Sequence, residues 1–307
     1  MRLLFLLLIH TLLFGGVDRH LAYPKTIDAD AIAKQVYFVN HQLYLKNQLI
    51  KAKARKSILV VKHQKGKEPK SFRANRFLNN DYTDGIIKSK DIVIFTSGKL
   101  KGVGILIKEY VDESKSLEVL MWLPALRKVR RMAEPSKNVG YSAADIAFIE
   151  ETKLRRLSQD TFELLGTQEM EFQFKQLTLK PSEITRYTKD LPTQKHQKKA
   201  EVYLLKATPK EDAWYDYRID YIDTKHFTTY RTNIYKANKI IKIIDRQWKK
   251  VKGIDDPRAY MWNYWYSINP ETGFETVNYI PHSIIKNNDM RIKNAFWSTR
   301  TLRKIRK

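Results

Sequence analysis

Val103, Ile105 and Ile107 alternate with Gly104, Leu106 and Lys108, and after a polar turn at 112–116 the residues Leu117, Val119, Met121 and Leu123 resume the period of two. Side chains alternate across a strand, so the two runs predict a hairpin. Pro124 has no N–H for a ladder and should end the second strand, after which Arg127, Lys128, Val129, Arg130 and Arg131 should begin another with cations on both faces. Upstream, Ile32, Val36, Val39 and Leu43 lie at helical spacing within 28–46, with Thr26 or Asp28 as the cap. The apolar face of this helix is suited to cover the body of a domain. Residues 58–62, 71–77 and 91–96 read as strands separated by Gly66, Pro69, Asn79-Asn80-Asp81 and Asp84-Gly85. Short turns make neighbours pair, so these strands and the hairpin should share one antiparallel sheet.

From 143 to 165 the period loosens toward a helix or irregular chain, with Ile146, Ile149 and Leu154 as apolar points. Phe172, Phe174, Leu177 and Leu179 then suggest one strand and 201–206 another, with a basic, Pro-containing loop over 185–199. The clearest alternation is 214–222, which sets Tyr215, Tyr217, Ile219 and Tyr221 on a dry face and Asp216, Arg218 and Asp220 on a wet one. Residues 227–235, 240–248 and 260–268 follow, the last placing Tyr260, Trp262, Tyr264 and Tyr266 on one side, and 274–280 closes the series. About a dozen strand candidates with few helices predict a mainly β protein, its antiparallel sheet curled into a barrel or an incomplete half-barrel with helices on the concave face. No domain break and no internal repeat interrupts 23–307.

The 57 Lys and Arg against 33 Asp and Glu give a net charge of +24, enough to draw the chain toward anionic partners. Compartment decides which polyanion is meant. One Arg before a Leu-rich run at 3–14, then Gly15-Gly16, has the layout of a secretory signal within 1–22, which predicts export to a periplasm. The run is shorter than the roughly 20 apolar residues that cross a bilayer, and nothing later approaches that length. With no Cys, the chain has no disulfide, thiol nucleophile or thiolate metal site.

Enzyme constellations are missing from the sequence. His41, His63, His196, His226 and His282 show no His-x-x-x-His spacing, and there is no Gly-x-Ser-x-Gly elbow, so neither a metal nor a cofactor is expected. Gly102-x-Gly104 sits in a strand pattern with no helix after it, which fits a bend or bulge better than a nucleotide loop. Asp216, Asp220 and Asp223 beside Arg218 read as surface ion pairs rather than an acid-base dyad. The aromatic rows have two readings, sheet core or the wall of a ligand cavity. The basic run at 127–131 has three: a solvated strand, contact with anionic headgroups, or nucleic acid, the last weakened by the signal segment. The tail Arg303-Lys304-Ile305-Arg306-Lys307 reads as a loose electrostatic tether.

Gly102-Val103-Gly104-Ile105-Leu106-Ile107, then Trp122-Leu123-Pro124-Ala125-Leu126-Arg127-Lys128-Val129-Arg130-Arg131, then a Gly-containing loop to Asp145, resembles the signature of the LolA-like outer-membrane lipoprotein-sorting proteins. Where that family usually has a Gly-Ser-Asp loop, this chain has Gly140-Tyr141-Ser142-Ala143-Ala144-Asp145. The resemblance implies an incomplete antiparallel barrel whose apolar concave face, lidded by helices, holds acyl chains. It implies a non-enzymatic periplasmic carrier of a lipid or lipid-anchored cargo, working with an anionic membrane surface and an RND-type exporter, with no nucleic acid as partner. The lipid cavity would then be lined by Val103, Ile105, Ile107, Val119, Met121, Tyr215, Tyr217, Ile219, Tyr221, Trp262, Tyr264 and Tyr266. Headgroup or partner contact would fall to Arg127, Lys128, Arg130 and Arg131. The alternatives are a periplasmic or secreted polyanion-binding protein acting through its charge, and a lipid hydrolase.

Overall fold

The computed structural model describes residues 19–132, 155–177, 179–185, 188–192, 196–211 and 213–305. Most of the leader expected over 1–22, and the segment 143–154 expected to be helical or irregular, lie outside them. The helix α1 (Ala29–Asn40) begins where Asp28 caps it, Oδ1 accepting from Ala31 N–H at 2.7 Å. It is shorter than the periodicity suggests, because Gln42 turns left-handed at φ 54° and Leu43 reaches the core from a turn.

The strands are β1 (Asn47–Ile50), β2 (Ile58–Gln64), β3 (Lys70–Asn79), β4 (Ile87–Phe95), β5 (Gly104–Tyr110), β6 (Glu118–Leu123), β7 (Lys128–Met132), β8 (Asp160–Phe174), β9 (His196–Pro209), β10 (Tyr217–Asp223), β11 (Thr229–Lys236), β12 (Lys239–Lys250), β13 (Tyr260–Ile268), β14 (Phe274–Tyr279) and β15 (Ile285–Asn287). They form one antiparallel sheet in the order β7-β6-β5-β4-β3-β2-β14-β13-β12-β11-β10-β9-β8, with β1 pairing β3 and β15 beside it. The predicted mainly β, open-barrel architecture is what the chain adopts. The hairpin pairs Ile105 with Met121 and Ile107 with Val119, and β7 starts after Pro124 as expected, Arg127 turning the corner at φ 48°.

One correction concerns 155–165. A short turn at Leu157–Gln159 opens directly into β8, whose exposed edge position leaves too few buried residues to show a strand period in the sequence. Residues 196–199, expected in a loop, extend β9 against Phe172 and Phe174 of the same long hairpin.

α1 packs against β13, β9 and β8, and its Tyr37 hydroxyl donates to Glu109 of β5 at 2.6 Å. Strands from opposite ends of the sheet meet one helix, so the sheet curls around it and α1 occupies the concave face. Ile32, Val36, Phe38 and Val39 are buried there with Leu205, Ile244 and Trp265. Burying such side chains stabilises the fold by about 1.5–3 kcal/mol each. The approach to β8 is bridged to the β5–β6 turn, where Arg156 Nη1 donates to the Glu113 carbonyl at 2.6 Å. β7 and β8 do not pair with each other.

The C-terminal segment covers the other face. A helix α2 (Thr299–Arg303) buries Leu302, and Trp297 donates its Nε1–H to the Phe77 carbonyl at 2.7 Å. These residues share a cluster with Leu49, Phe77, Ile92, Leu106 and Trp122. The expected loose tether is therefore corrected for 303–305. Gly104 explains the anchorage: a Cβ there would stand 2.3 Å from Ile305 Cδ1 and 3.0 Å from Leu302 Cδ2. It admits the tail rather than bending the strand.

Candidate functional site

The concave face is built from alternate residues of each strand, and pairing fixes which side chains share it. At the β5–β6 end, Ile105, Ile107, Val119 and Met121 form one patch, with Val103 and Ile105 packed against the core that contains α1. Ile107 and Val119 are buried, while Ile105 and Met121 keep part of their surface exposed. These five candidate residues are brought together.

The aromatic candidates divide. Tyr215 precedes β10, is buried in the α1 core and accepts from Arg218 Nη1 at 3.1 Å. Trp262 joins the same core. Tyr264 and Tyr266 instead pack with Val277, Leu177 and Leu191 on the outer face. The cause is a bulge: Trp248 faces Trp262 but Gln247 faces Tyr264, so Asn263 is an extra residue and the row changes sides. Tyr217, Ile219 and Tyr221 also point outward, in register with Tyr235, Asn233 and Arg231; Tyr217 stacks on Tyr235 at 4.7 Å and Tyr221 meets Phe172 edge-on.

The expected wet face of β10 is the inner one, a second correction. Asp160 accepts from Arg155 Nε at 2.8 Å and Arg218 Nη1 at 2.9 Å, and Arg218 Nε donates to Asp220 at 3.1 Å. Thr232 donates to Asp220 at 2.6 Å and accepts from Arg246 Nη1 at 2.9 Å. Asp160, Asp220, Thr232 and Arg246 are buried. Burial works against the Arg218 charge, but Tyr215, Asp220 and Asp160 outweigh it and raise its pKa. Period-two alternation identifies two faces and cannot say which is inside when the inner face holds matched charges. Asp223 is occupied too, accepting from Tyr230 OH at 2.9 Å and from the backbone of Lys225 and His226. Asp216 is exposed and accepts from Ala237 N–H.

A second buried cluster ties the end of α1 to the sheet. Glu109 accepts from Tyr37 OH at 2.6 Å and Ser89 Oγ at 3.0 Å, and Lys88 Nζ donates to Tyr37 OH at 2.5 Å. Burial, then the Glu109 charge, pushes the Tyr37 hydroxyl well above its ordinary range. His41 stacks on Tyr37 at 3.8 Å, with Nδ1 3.8 Å from Glu109. Sequence reasoning passed over these groups because the five residues lie in three separate segments.

The basic run is exposed but split. Lys128 and Arg130 pair with Leu123 and Met121 on the concave side, whereas Arg131 pairs with Leu120 on the other and Arg127 sits in the turn. Among the described residues no group of three His, Cys, Asp or Glu is arranged to hold a metal, and no helix is long and apolar enough to cross a membrane.

The family described as "Protein of unknown function (DUF1329)" matches residues 97–267. No curated protein matches the chain in sequence. Among solved structures, a DUF1329 family protein from Desulfovibrio piger is similar with a TM-score of 0.65 at 14% identity, over 90% of this chain and all of that one (100%). A putative outer membrane lipoprotein-sorting protein domain from Vibrio parahaemolyticus gives 0.62 at 12% identity, over 90% of this chain and 98% of that one. A LolA superfamily protein from Nitrosomonas europaea gives 0.53 at 11% identity, over 89% and 98%. At these identities the likeness is one of fold.

Proposed function

The chain belongs to the DUF1329 family, and from that premise we propose that it is a periplasmic, non-enzymatic carrier that shields a lipid or lipid-anchored cargo on the concave face of its half-barrel. The observation that carries the reading is the continuous inner patch of Val103, Ile105, Ile107, Val119 and Met121, which runs from the closed core under α1 to part-exposed side chains at the β5–β6 end. Burying a chain there is driven by about 25 cal/mol per Å² of apolar surface and needs no directional contacts. The putative outer membrane lipoprotein-sorting protein domain and the LolA superfamily protein of the same fold support this assignment of class. Lys128 and Arg130 border the patch on the same side, which supports contact with anionic headgroups as part of the proposal, with an RND-type exporter as the proposed partner.

The carboxylates that a hydrolase would need are engaged: Asp220 by Arg218 and Thr232, Asp223 by Tyr230. That supports a structural role for them. The test is native mass spectrometry with lipid extraction on protein purified from a periplasm without detergent. The carrier reading expects a co-purifying acyl compound that survives high salt and is lost in Met121→Asp. An empty protein that binds polyanions with a steep salt dependence would replace it with the charge-driven reading suggested by the net +24.

A further inference from the structure

On the outer face, the described residues 175–177, 179–185 and 188–192, which follow β8, lie over the strands as a strap. Lys175 N–H reaches Asp245 Oδ2 at 3.5 Å and Leu177 N–H reaches Tyr264 OH at 3.4 Å, while Leu177 and Leu191 pack on the Tyr264, Tyr266 and Val277 cluster. Farther along, His63 of β2 stands between Glu275, 3.1 Å from Nδ1, and Glu183 of the strap, 3.4 Å from Nε2. Between strap and sheet is a cleft of about 1290 Å³. That exceeds the roughly 300–1,000 Å³ of ordinary small-molecule pockets.

Phe174, Leu177, Ile184, Leu191 and Ile268 give the cleft an apolar lining, and Lys175, Lys189 and Arg231 stand in it as cations. Of its two acids, Glu171 and Glu275, the second is already turned to Tyr266, whose hydroxyl donates at 2.5 Å, and to His63. Arg231 is held by Asp245 through two bonds of 2.7 and 2.9 Å. Over 175–199 the sequence has six Lys and one Arg against one Glu and one Asp, a cation excess in the segment that supplies the strap. Ile184, at its rim, is 53% exposed.

We propose that this cleft is a second ligand site, separate from the concave face, that takes a single-chain anionic amphiphile: the chain lies on the apolar lining and the anionic head meets Lys175 and Lys189. A carboxylate head and a lysophospholipid phosphate share this chemistry. The strap, held at Tyr264 and at His63, forms the outer wall.

The test is photo-crosslinking on the full mature chain, stripped of lipid, with two probes: a diazirine-bearing long-chain fatty acid and a diazirine-bearing lysophosphatidylglycerol, adducts being located by peptide mass spectrometry. The site predicts adducts within 174–191 and 266–275 for at least one probe, and which probe labels identifies the head. Ile184→Asp, at an exposed position, should lower that yield roughly tenfold. Lys175→Ala with Lys189→Ala should lower it roughly fivefold at low salt while leaving labelling by the uncharged methyl ester unchanged. Equal loss for the ester would overturn the assignment of an anionic head. Adducts confined to 103–121 would overturn the outer site and leave the carrier reading standing, and outer adducts alone would do the reverse. No adducts in either place would overturn both.

Discussion

Beneath α1, Phe38, Val39 and Ile32 share a core with Trp265, Ile244 and Leu205 and leave almost no surface open, whereas at the β5–β6 end of the same concave face Ile105 and Met121 stay part-exposed. Both regions are apolar strand faces written with the same period of two. The difference is what each is paired with: one helix fills the centre and is locked at its end through Tyr37 and Glu109. An apolar strand face thus becomes core or potential binding wall according to the element laid over it.

Four substitutions sharpen that comparison. Phe38→Ala should cost about 3–5 kcal/mol in denaturant unfolding, the cavity being unable to collapse under a fixed helix, while Met121→Ala should cost under about 1 kcal/mol. Equal losses would remove the distinction between the two regions. Asp160→Asn should cost about 3 kcal/mol, because Arg155 and Arg218 then lose a buried counter-charge. A cost near zero would show that the inner polar row is solvated. On the outer face, Gly104→Val should cost about 1–3 kcal/mol and release the tail, read as faster amide exchange at 299–305. Unchanged exchange would mean that Ile305 moves aside freely.

The smallest expected effect is a pH dependence. Burial, then Lys249, lowers the His282 pKa from its ordinary 6.5, so the folded state holds the neutral ring and binds the proton less readily than the unfolded chain. Its stabilising contribution is complete above about pH 6.5 and is lost as the pH falls from there through the folded value. His282→Gln should flatten that part of the stability curve.

Much of this was readable in the residues. The Val103 to Leu123 hairpin, the stop at Pro124, the Asp28 cap and the run of strands from 217 to 279 follow from local periodicity and turn chemistry. β1 and β15 were not readable, being four and three residues long and defined by pairing with each other from opposite ends of the chain. α2 was hidden in a basic tail in which Leu302 is buried and Ile305 is half-buried beside Gly104. Of the candidate wall, Val103, Ile105, Ile107, Val119 and Met121 lie together on one face, since no irregularity interrupts the β5–β6 pairing. Trp262 was grouped with Tyr264 and Tyr266 because a single unpaired residue, Asn263, changes nothing in composition and everything in sidedness.

What the sequence by itself determined is the alphabet of the fold: which segments are strands, where they turn, and that an antiparallel sheet with few helices must curl. Those are local properties, set by a two-residue period and by Pro, Gly and Asp at fixed points. Only the tertiary structure decided which face of each strand is inside, since Arg218 and Asp220 become interior when Asp160, Thr232 and Arg246 arrive to match them. Sidedness depends on partners far away along the chain, and a buried charge is tolerated only once those partners are in place.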